Sequence, residues 1–153
     1  MRGTLWDGVG VLACVLVVAQ KNPVPRDEGV ASRMRQQKST GTIPELLLVA
    51  ALRRRGFKVE THVADLPGKP DIVLPARGVV VFVHGCFWHG CPWHFRAPKH
   101  NRKWWAEKIA RNKARDRRKA ARLRRQGWSV ITVWEHVDPE LAAERVRAWS
   151  SRR

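Results

Sequence analysis

Val79–Val83 is apolar at every position, and Trp128–Trp134 is a second, largely apolar run. An apolar run of this length, bounded by glycines, reads as a strand buried on both faces. The spacing predicts a strand over Val79–Val83 and another over Trp128–Trp134. Phe57–Val63 alternates and is expected to form a half-buried strand. Ile72–Leu74 is a short strand joined to Val79–Val83 through a turn at Pro75-Ala76-Arg77-Gly78. Helical signals lie between. Thr42-Ile43-Pro44-Glu45 has the form of a capping box, with Glu three residues after Thr, and predicts a helix from about Ile43 to Arg55 that stops at Gly56. A long helix is expected from about Arg102 to Gln126, closed by Gly127, and a last one from Asp138-Pro139-Glu140 to about Trp149. The order α-β-β-β-α-β-α implies an α/β domain, a mixed sheet with helices on its faces.

The first 30 residues do not follow this pattern. Val9–Ala19 is a continuous apolar run, too short to span a bilayer. It has the length of the apolar part of a signal peptide, but Ala19-Gln20-Lys21-Asn22 is a poor cleavage site. Residues 1–30 are therefore read as an atypical leader outside the fold, with a buried strand as the alternative, and residues 31–153 as the single domain. Residues 20–40 form a polar, Pro-containing arm.

Charge narrows the partner. The chain of 153 residues holds 30 Lys+Arg against 13 Asp+Glu, a formal net charge of +17. Between Arg96 and Arg125 there are 14 basic and 2 acidic residues, which carry most of it. Such a run is compatible with a merely solvated helix face. Eight Trp in the chain, with no Tyr, point instead to a nucleic acid, where cations meet phosphates and rings stack on bases. A membrane partner is not expected, and the cytoplasm, close to the nucleoid, is the expected location.

The densest chemistry lies in His84-Gly85-Cys86-Phe87-Trp88-His89-Gly90-Cys91-Pro92-Trp93-His94. Cys86, Cys91 and His94 are thiol and imidazole donors of the kind that Zn²⁺ prefers, and a closed structural site needs a fourth. His136 follows the last strand. A parallel alignment of that strand with Val79–Val83 brings both strand ends to one edge and His136 to the Cys loop. His89 is the alternative fourth ligand. A structural zinc would hold a loop that has no core of its own.

A second constellation is acidic. A β-hairpin centred between Arg77 and Gly78 would pair Asp71 directly with His84. Asp71 at the mouth of that hairpin suits Mg²⁺, as does a main-chain carbonyl near Val83. Asp71 could equally be a loop carboxylate capping a strand end, and Glu45 could simply close its capping box. His89 is the candidate general base, since imidazoles as a class titrate near neutrality. Asp116 on the long helix is available to orient it. Trp105, Lys108, Ile109, Asn112 and Asp116 share one face of that helix. An amphipathic core stripe is the plain account, but Lys, Asn and Asp are poor core residues unless paired.

These residues resemble the very short patch repair (Vsr) DNA mismatch endonucleases. The resemblance rests on Leu66-Pro67-Gly68-Lys69-Pro70-Asp71, on Phe82-Val83-His84-Gly85-Cys86-Phe87-Trp88-His89, and on Trp105-Ala106-Glu107-Lys108-Ile109, Asn112, Arg115-Asp116-Arg117-Arg118, Gly127-Trp128 and Val133-Trp134-Glu135. It runs from about Arg33 to Trp149. It implies a restriction-endonuclease-like mixed sheet flanked by helices. It also implies Mg²⁺-dependent nicking of double-stranded DNA 5′ to the thymine of a T:G mismatch, the product of 5-methylcytosine deamination. By the same resemblance Asp71 and the main-chain carbonyl of Val83 ligate Mg²⁺, His84 assists at the scissile phosphate, His89 oriented by Asp116 is the base, and Glu45 is an acidic active-site residue. Phe87, Trp88 and Trp105 resemble the aromatic wedge that enters the base stack. Met34 resembles an arm residue inserted from the other groove, and Lys108 and Asn112 match positions that read the mismatched pair. A monomer is expected, with mismatch-repair proteins as partners.

The chain departs from the family pattern in four places. Gly90-Cys91-Pro92-Trp93-His94 follows where a His-rich run is common. His136 stands where Cys is frequent, and Val83 where Thr is. The lysine of many restriction-type nucleases is missing near Phe82-Val83-His84. Two other functions compete. A zinc-stabilised DNA-binding protein without cleavage would lack one of Asp71, His84 or His89, and all three are present. A restriction-like endonuclease on the same fold would need no wedge.

Overall fold

The computed structural model describes residues 28, 29, 32 and 40–151. The apolar run Val9–Ala19 and the arm residue Met34 lie outside the described residues. Within the described part the elements are α1 (Ile43–Arg54), β1 (Glu60–Thr61), β2 (Ile72–Leu74), β3 (Val79–His84), α2 (Arg102–Arg125), β4 (Ser129–Trp134) and α3 (Pro139–Ser150). The order agrees with the sequence-based expectation, as do most boundaries. The strands form one mixed sheet in the order β1-β2-β3-β4. β1–β2 and β2–β3 are antiparallel, and β3–β4 is parallel, pairing Val79 with Ser129 through to His84 with Trp134.

β1 is much shorter than the predicted strand over Phe57–Val63. Only Glu60 and Thr61 pair with β2, and His62 turns into the left-handed region at φ 53°. The alternation nevertheless has a physical basis. Phe57 and Val59 pack on one core and Val63 on the other.

The β2–β3 hairpin is also offset from expectation. Its register pairs Ile72 with Val81 and Leu74 with Val79, so continuing the ladder sets Asp71 beside Phe82 rather than His84. The connection is a 3₁₀ turn, Pro75–Arg77, followed by Gly78 at φ 57°. Its centre lies one residue earlier than a symmetric turn between Arg77 and Gly78 would have it. The resulting shift is an even number of positions, so Asp71 and His84 keep the same face of the pleat.

The two faces of the sheet are covered differently. α1 and α3 bury Leu48, Leu52, Val79, Val81 and Val146 in one continuous core, with Ile72 and Leu74 from β2. On the other face α2 contributes Leu123, packed with Val73 and Val80. α1 starts at Thr42 with Pro44 in its first turn, but the capping box is rearranged. Thr42 Oγ1 donates to Glu45 Oε1, and Glu45 Oε2 accepts from the Gly41 N–H rather than from Thr42. α3 has a conventional cap, with Asp138 Oδ1 accepting from the Glu140 and Leu141 N–H groups. Glu140 also ties α3 to the end of α1 through Arg54 and Arg55.

Candidate active site and metal-binding loop

The parallel pairing of β3 with β4 determines the site. Both strands end at the same edge, where the Glu135 N–H donates to the His84 carbonyl at 3.0 Å. The chain after β3 becomes the Cys/His loop, and the chain after β4 delivers Glu135 and His136 to it. Glu135 Oε1 accepts from the Cys86 N–H at 2.6 Å, fixing the start of the loop. Cys86 Sγ lies 3.0 Å from His136 Nδ1, and Cys91 Sγ lies 3.7 Å from His94 Nδ1 and 3.9 Å from His136 Nδ1. The ligand atoms of Cys86, Cys91, His94 and His136 all fall within 4.8 Å of one another. His89, the alternative fourth donor, sits elsewhere, with its Nδ1 2.6 Å from Asp116 Oδ2. Burial, aided by the neighbouring Cys91 thiol and the Glu135 carboxylate, pushes the Cys86 thiol up to about 11. Two thiols and two imidazoles gathered this closely fit a tetrahedral Zn²⁺, whose charge would reverse that shift.

The loop is pressed onto α2. Gly90 has φ 62°, and a Cβ there would stand 2.7 Å from Ile109 Cγ2 and 2.6 Å from Lys113 Cε. Only glycine combines that backbone with that approach. Beside it, Asn112 is buried and donates to the Trp88 carbonyl at 2.8 Å. This contact locks the loop to the helix.

The histidine pair lies on the α2 face of the sheet. His84 ends β3, and its ring stacks on His89 at 3.9 Å with only 10° between the planes. Burial, together with the neighbouring His89, lowers the His84 imidazole to about 4. His84 is therefore neutral at physiological pH and can offer a lone pair or an N–H, but not a cation. Burial alone would raise Asp116, yet its hydrogen bond to His89 and that ring's charge hold its carboxyl below the usual range. An ionised carboxylate on Nδ1 leaves Nε2 of His89 as the nitrogen that can take a proton. His84, His89 and Asp116 border a cleft of about 680 Å³ whose rim carries Lys113, Arg117 and Lys119.

The carboxylate group lies across the ends of β1, β2 and α1. Asp71 Oδ2 accepts from the Val83 N–H at 2.7 Å, so the hairpin brings Asp71 to Val83 by a side-chain bond. Burial, with the charge of Glu45 adding to it and the Val83 bond opposing it, raises the Asp71 carboxyl to about 6. Glu45 is buried in the first turn of α1, and its Oε2 is 3.8 Å from His62 Nε2. Ligand atoms of Glu45, His62 and Asp71 lie within 4.8 Å of one another. Two carboxylates with one buried and repelling the other are a donor set that a hard divalent cation would relieve.

The aromatic residues form a cluster of their own. Phe87 meets Trp88 at 5.2 Å and Trp105 at 5.0 Å, and Trp88 meets Trp105 at 5.9 Å, all tilted or edge-on. Trp105 is buried, so it backs the other two rings rather than forming their tip. Lys108 Nζ lies 5.9 Å above the Trp104 ring.

Sequence reasoning missed two residues of this region, His62 and Glu135. Both had a signal. Pairing Phe57–Val63 against Ile72–Leu74 would have put a histidine opposite Asp71, and Glu135 immediately follows the strand whose end was expected at the Cys loop.

The DNA mismatch endonuclease Vsr family matches residues 27–95. The type II nicking enzyme V.XorIIP of Xanthomonas oryzae pv. oryzae is 44% identical over 115 residues, covering 74% of this chain and 85% of that protein. The DNA mismatch endonuclease Vsr of Escherichia coli strain K12 is 35% identical over 127 residues, covering 78% of this chain and 81% of its own. The chain belongs to the Vsr endonuclease family. The type II nicking enzyme V.NaeI of Lentzea aerocolonigenes adds a third relative, 40% identical over 129 residues, with 81% of this chain and 78% of that protein covered. Membership makes the chain a DNA endonuclease and makes DNA its partner. Among the described residues, no helix is long and apolar enough to cross a membrane.

Proposed function

We propose that this Vsr-family endonuclease nicks double-stranded DNA 5′ to the thymine of a T:G mismatch. One observation carries the reading. A carboxylate pair, Asp71 with Glu45, and a histidine–carboxylate pair, His89 with Asp116, flank the end of β3 beside exposed basic residues and an aromatic cluster. That is the set of groups a phosphodiester hydrolysis at a distorted base pair requires.

Asp71 and the Val83 carbonyl would hold Mg²⁺, which when bound stabilises charge developing on the phosphate. The remaining work falls to the chain itself. His89 Nε2 removes a proton from the attacking water, and Asp116 keeps the ring in the required tautomer and steadies its positive charge. His84, neutral and stacked on His89, donates to a phosphate oxygen. Glu45 orients groups around Asp71. Phe87 and Trp88, backed by Trp105, press into the stack at the mismatch, assisted by Met34 from the other groove. A T:G wobble is weakly stacked and opens at lower cost than a matched pair. Lys108 reads the pair. Asn112 secures the wedge through Trp88 and reads the pair once the wedge has moved. The Cys86, Cys91, His94 and His136 set would hold a structural Zn²⁺ that keeps the wedge and His89 on one rigid loop. The four-stranded mixed sheet with helices on both faces suits a restriction-endonuclease-like fold.

The test uses two labelled duplexes identical except for T:G in place of C:G, incubated with Mg²⁺ and protein in several flanking contexts. A nick confined to the mismatched strand, 5′ to T, is the expected result. Equal cleavage of both duplexes would mean a restriction-like enzyme, and binding without cleavage a noncatalytic module.

A further inference from the structure

The antiparallel register pairs Glu60 with Val73 and Thr61 with Ile72, so the next step along the ladder sets His62 opposite Asp71. The His62 N–H reaches the Asp71 carbonyl at 3.4 Å. Cross-strand neighbours project to the same face, which is how a histidine distant from every recognisable motif arrives beside the catalytic carboxylate. Its backbone is held at φ 53°, a conformation that histidine adopts infrequently.

The surrounding bonds leave this ring with an unexplained position. At 3.8 Å, His62 Nε2 is too far from Glu45 Oε2 for a hydrogen bond, yet near enough for both to share an ion. Glu45 is itself oriented from behind, with Oε2 accepting from the Gly41 N–H at 2.8 Å and Oε1 from Thr42 Oγ1 at 2.7 Å. Asp71 is held by the Val83 N–H. One donor atom from each of the three residues falls within 4.8 Å of the others. His62 stands on the open side, with 39% of its side chain exposed, so an ion can enter past it from solvent.

Carboxylates alone suit Mg²⁺, which takes oxygen donors and keeps much of its water. An imidazole changes the preference, because first-row transition ions accept nitrogen far more readily than Mg²⁺ does. We propose that His62 completes a site of one imidazole and two carboxylates with Glu45 and Asp71, and that this site holds Mn²⁺ and related transition ions more tightly than Mg²⁺. The proposal rests on the reading of Asp71 as the catalytic metal ligand and adds two ligands, His62 and Glu45, and a metal preference to it. The enzyme would then use Mn²⁺ at concentrations at which Mg²⁺ leaves the site largely empty.

The test is direct metal binding by the full-length protein, with no free zinc present. Mn²⁺ is titrated and followed by electron paramagnetic resonance, with Mg²⁺ as competitor, and bound Mn²⁺ is probed for nitrogen coupling by spin-echo spectroscopy. Four proteins are compared: wild type, His62→Asn, His62→Gly and Asp71→Asn. Asn and Gly both tolerate the left-handed backbone, so either substitution removes the ring without disturbing the chain. The wild type is expected to bind Mn²⁺ at least about tenfold more tightly than Mg²⁺ and to show nitrogen coupling. Both His62 variants should lose one nitrogen coupling and about tenfold in Mn²⁺ affinity, with Mg²⁺ affinity changed by less than about twofold. Unchanged coupling and Mn²⁺ affinity in both His62 variants, alongside loss of both metals in Asp71→Asn, would overturn the His62 proposal alone. Unchanged binding of both metals in Asp71→Asn would overturn the reading of the catalytic site beneath it.

Discussion

The face of the sheet beneath α1 and α3 differs sharply from the face beneath α2. The first is a closed core, with Leu48, Leu52, Ile72, Leu74, Val79, Val81 and Val146 all buried and no charge among them. The second buries Val73, Val80 and Leu123 near one end, then gives way to His84, His89 and Asp116 at the other. α2 is 24 residues long, yet Trp105, Ile109, Asn112 and Leu123 are its only buried positions. One face supplies the hydrophobic free energy that keeps the sheet together. The other is thereby free to carry ionisable groups and an open cleft, and where it lacks a core the Cys/His loop takes over the anchoring.

Substitutions on the two faces should separate activity from stability. Asp71→Ala should show the largest effect. On the proposed reading, in which Asp71 holds Mg²⁺, the substitution should cut Mg²⁺-dependent nicking by about a thousandfold or more, since a bound metal lowers the barrier by several kcal/mol. DNA affinity in a gel-shift assay should stay within a few fold; full nicking activity in this variant would remove Asp71 from the mechanism. His89→Ala should reduce the single-turnover nicking rate by about 10²–10⁴-fold, the usual range for a general base. Melting temperature should fall only modestly, because the lost ring leaves Asp116 without its partner but opens no core cavity.

Cys91→Ala tests the anchoring of the second face. Zinc content should fall below one per chain, and thermal stability should fall with it by about 3 kcal/mol or more. Retention of one zinc per chain would disprove the ligand set. Leu52→Ala on the closed face should lower unfolding free energy by about 2–5 kcal/mol in urea titrations, because a fully buried side chain leaves a cavity. Lys119→Ala at the cleft rim should stay within about 0.5 kcal/mol. Equal costs at the two positions would erase the distinction between the faces.

A last prediction concerns pH. The Asp71 carboxyl is raised from 3.8 to about 6 in the folded chain, so the fold favours its neutral form. That contribution is complete below pH 3.8 and is lost as pH rises through about 6. In Mg²⁺-free buffer Asp71→Asn, which cannot ionise, should therefore be more stable than wild type at pH 7.5 by about 1–3 kcal/mol. The gap should close below pH 4, and its persistence there would assign the gain to packing instead. A carboxylate that costs the fold stability once it ionises is the counterpart of the apolar core beneath α1 and α3.

Much of this organisation is legible in local pattern. The apolar run Val79–Val83, the Pro44 start of α1, the Asp138 cap and the glycine after α2 each act over a few residues, so elements and boundaries follow from them. The α2 stripe from Trp105 to Asp116 was likewise visible as one face, since helical spacing is a property of the helix itself. β1 was overestimated because alternation reports which side chains are buried, and Phe57, Val59 and Val63 are partly buried without any ladder. The pairing of Asp71 with His84 failed because a hairpin's register depends on the shape of its turn. The 3₁₀ turn Pro75–Arg77 with left-handed Gly78 moved that register by two residues.

The sequence by itself determined the family, the element order, the basic character of α2 and the inventory of donors around His84–His94. Tertiary structure alone decided how those donors are divided. His136 joins Cys86, Cys91 and His94 because β4 runs parallel to β3 and ends level with it. His89 turns to Asp116 because Gly90 lets the loop approach α2. His62 meets Asp71 and Glu45 because β1 pairs with β2 in one register and no other. Each of these groupings joins residues from separate segments. Local propensity acts within a few residues of the chain, whereas strand register and helix packing set distances between segments, and coordination and proton transfer depend on those distances.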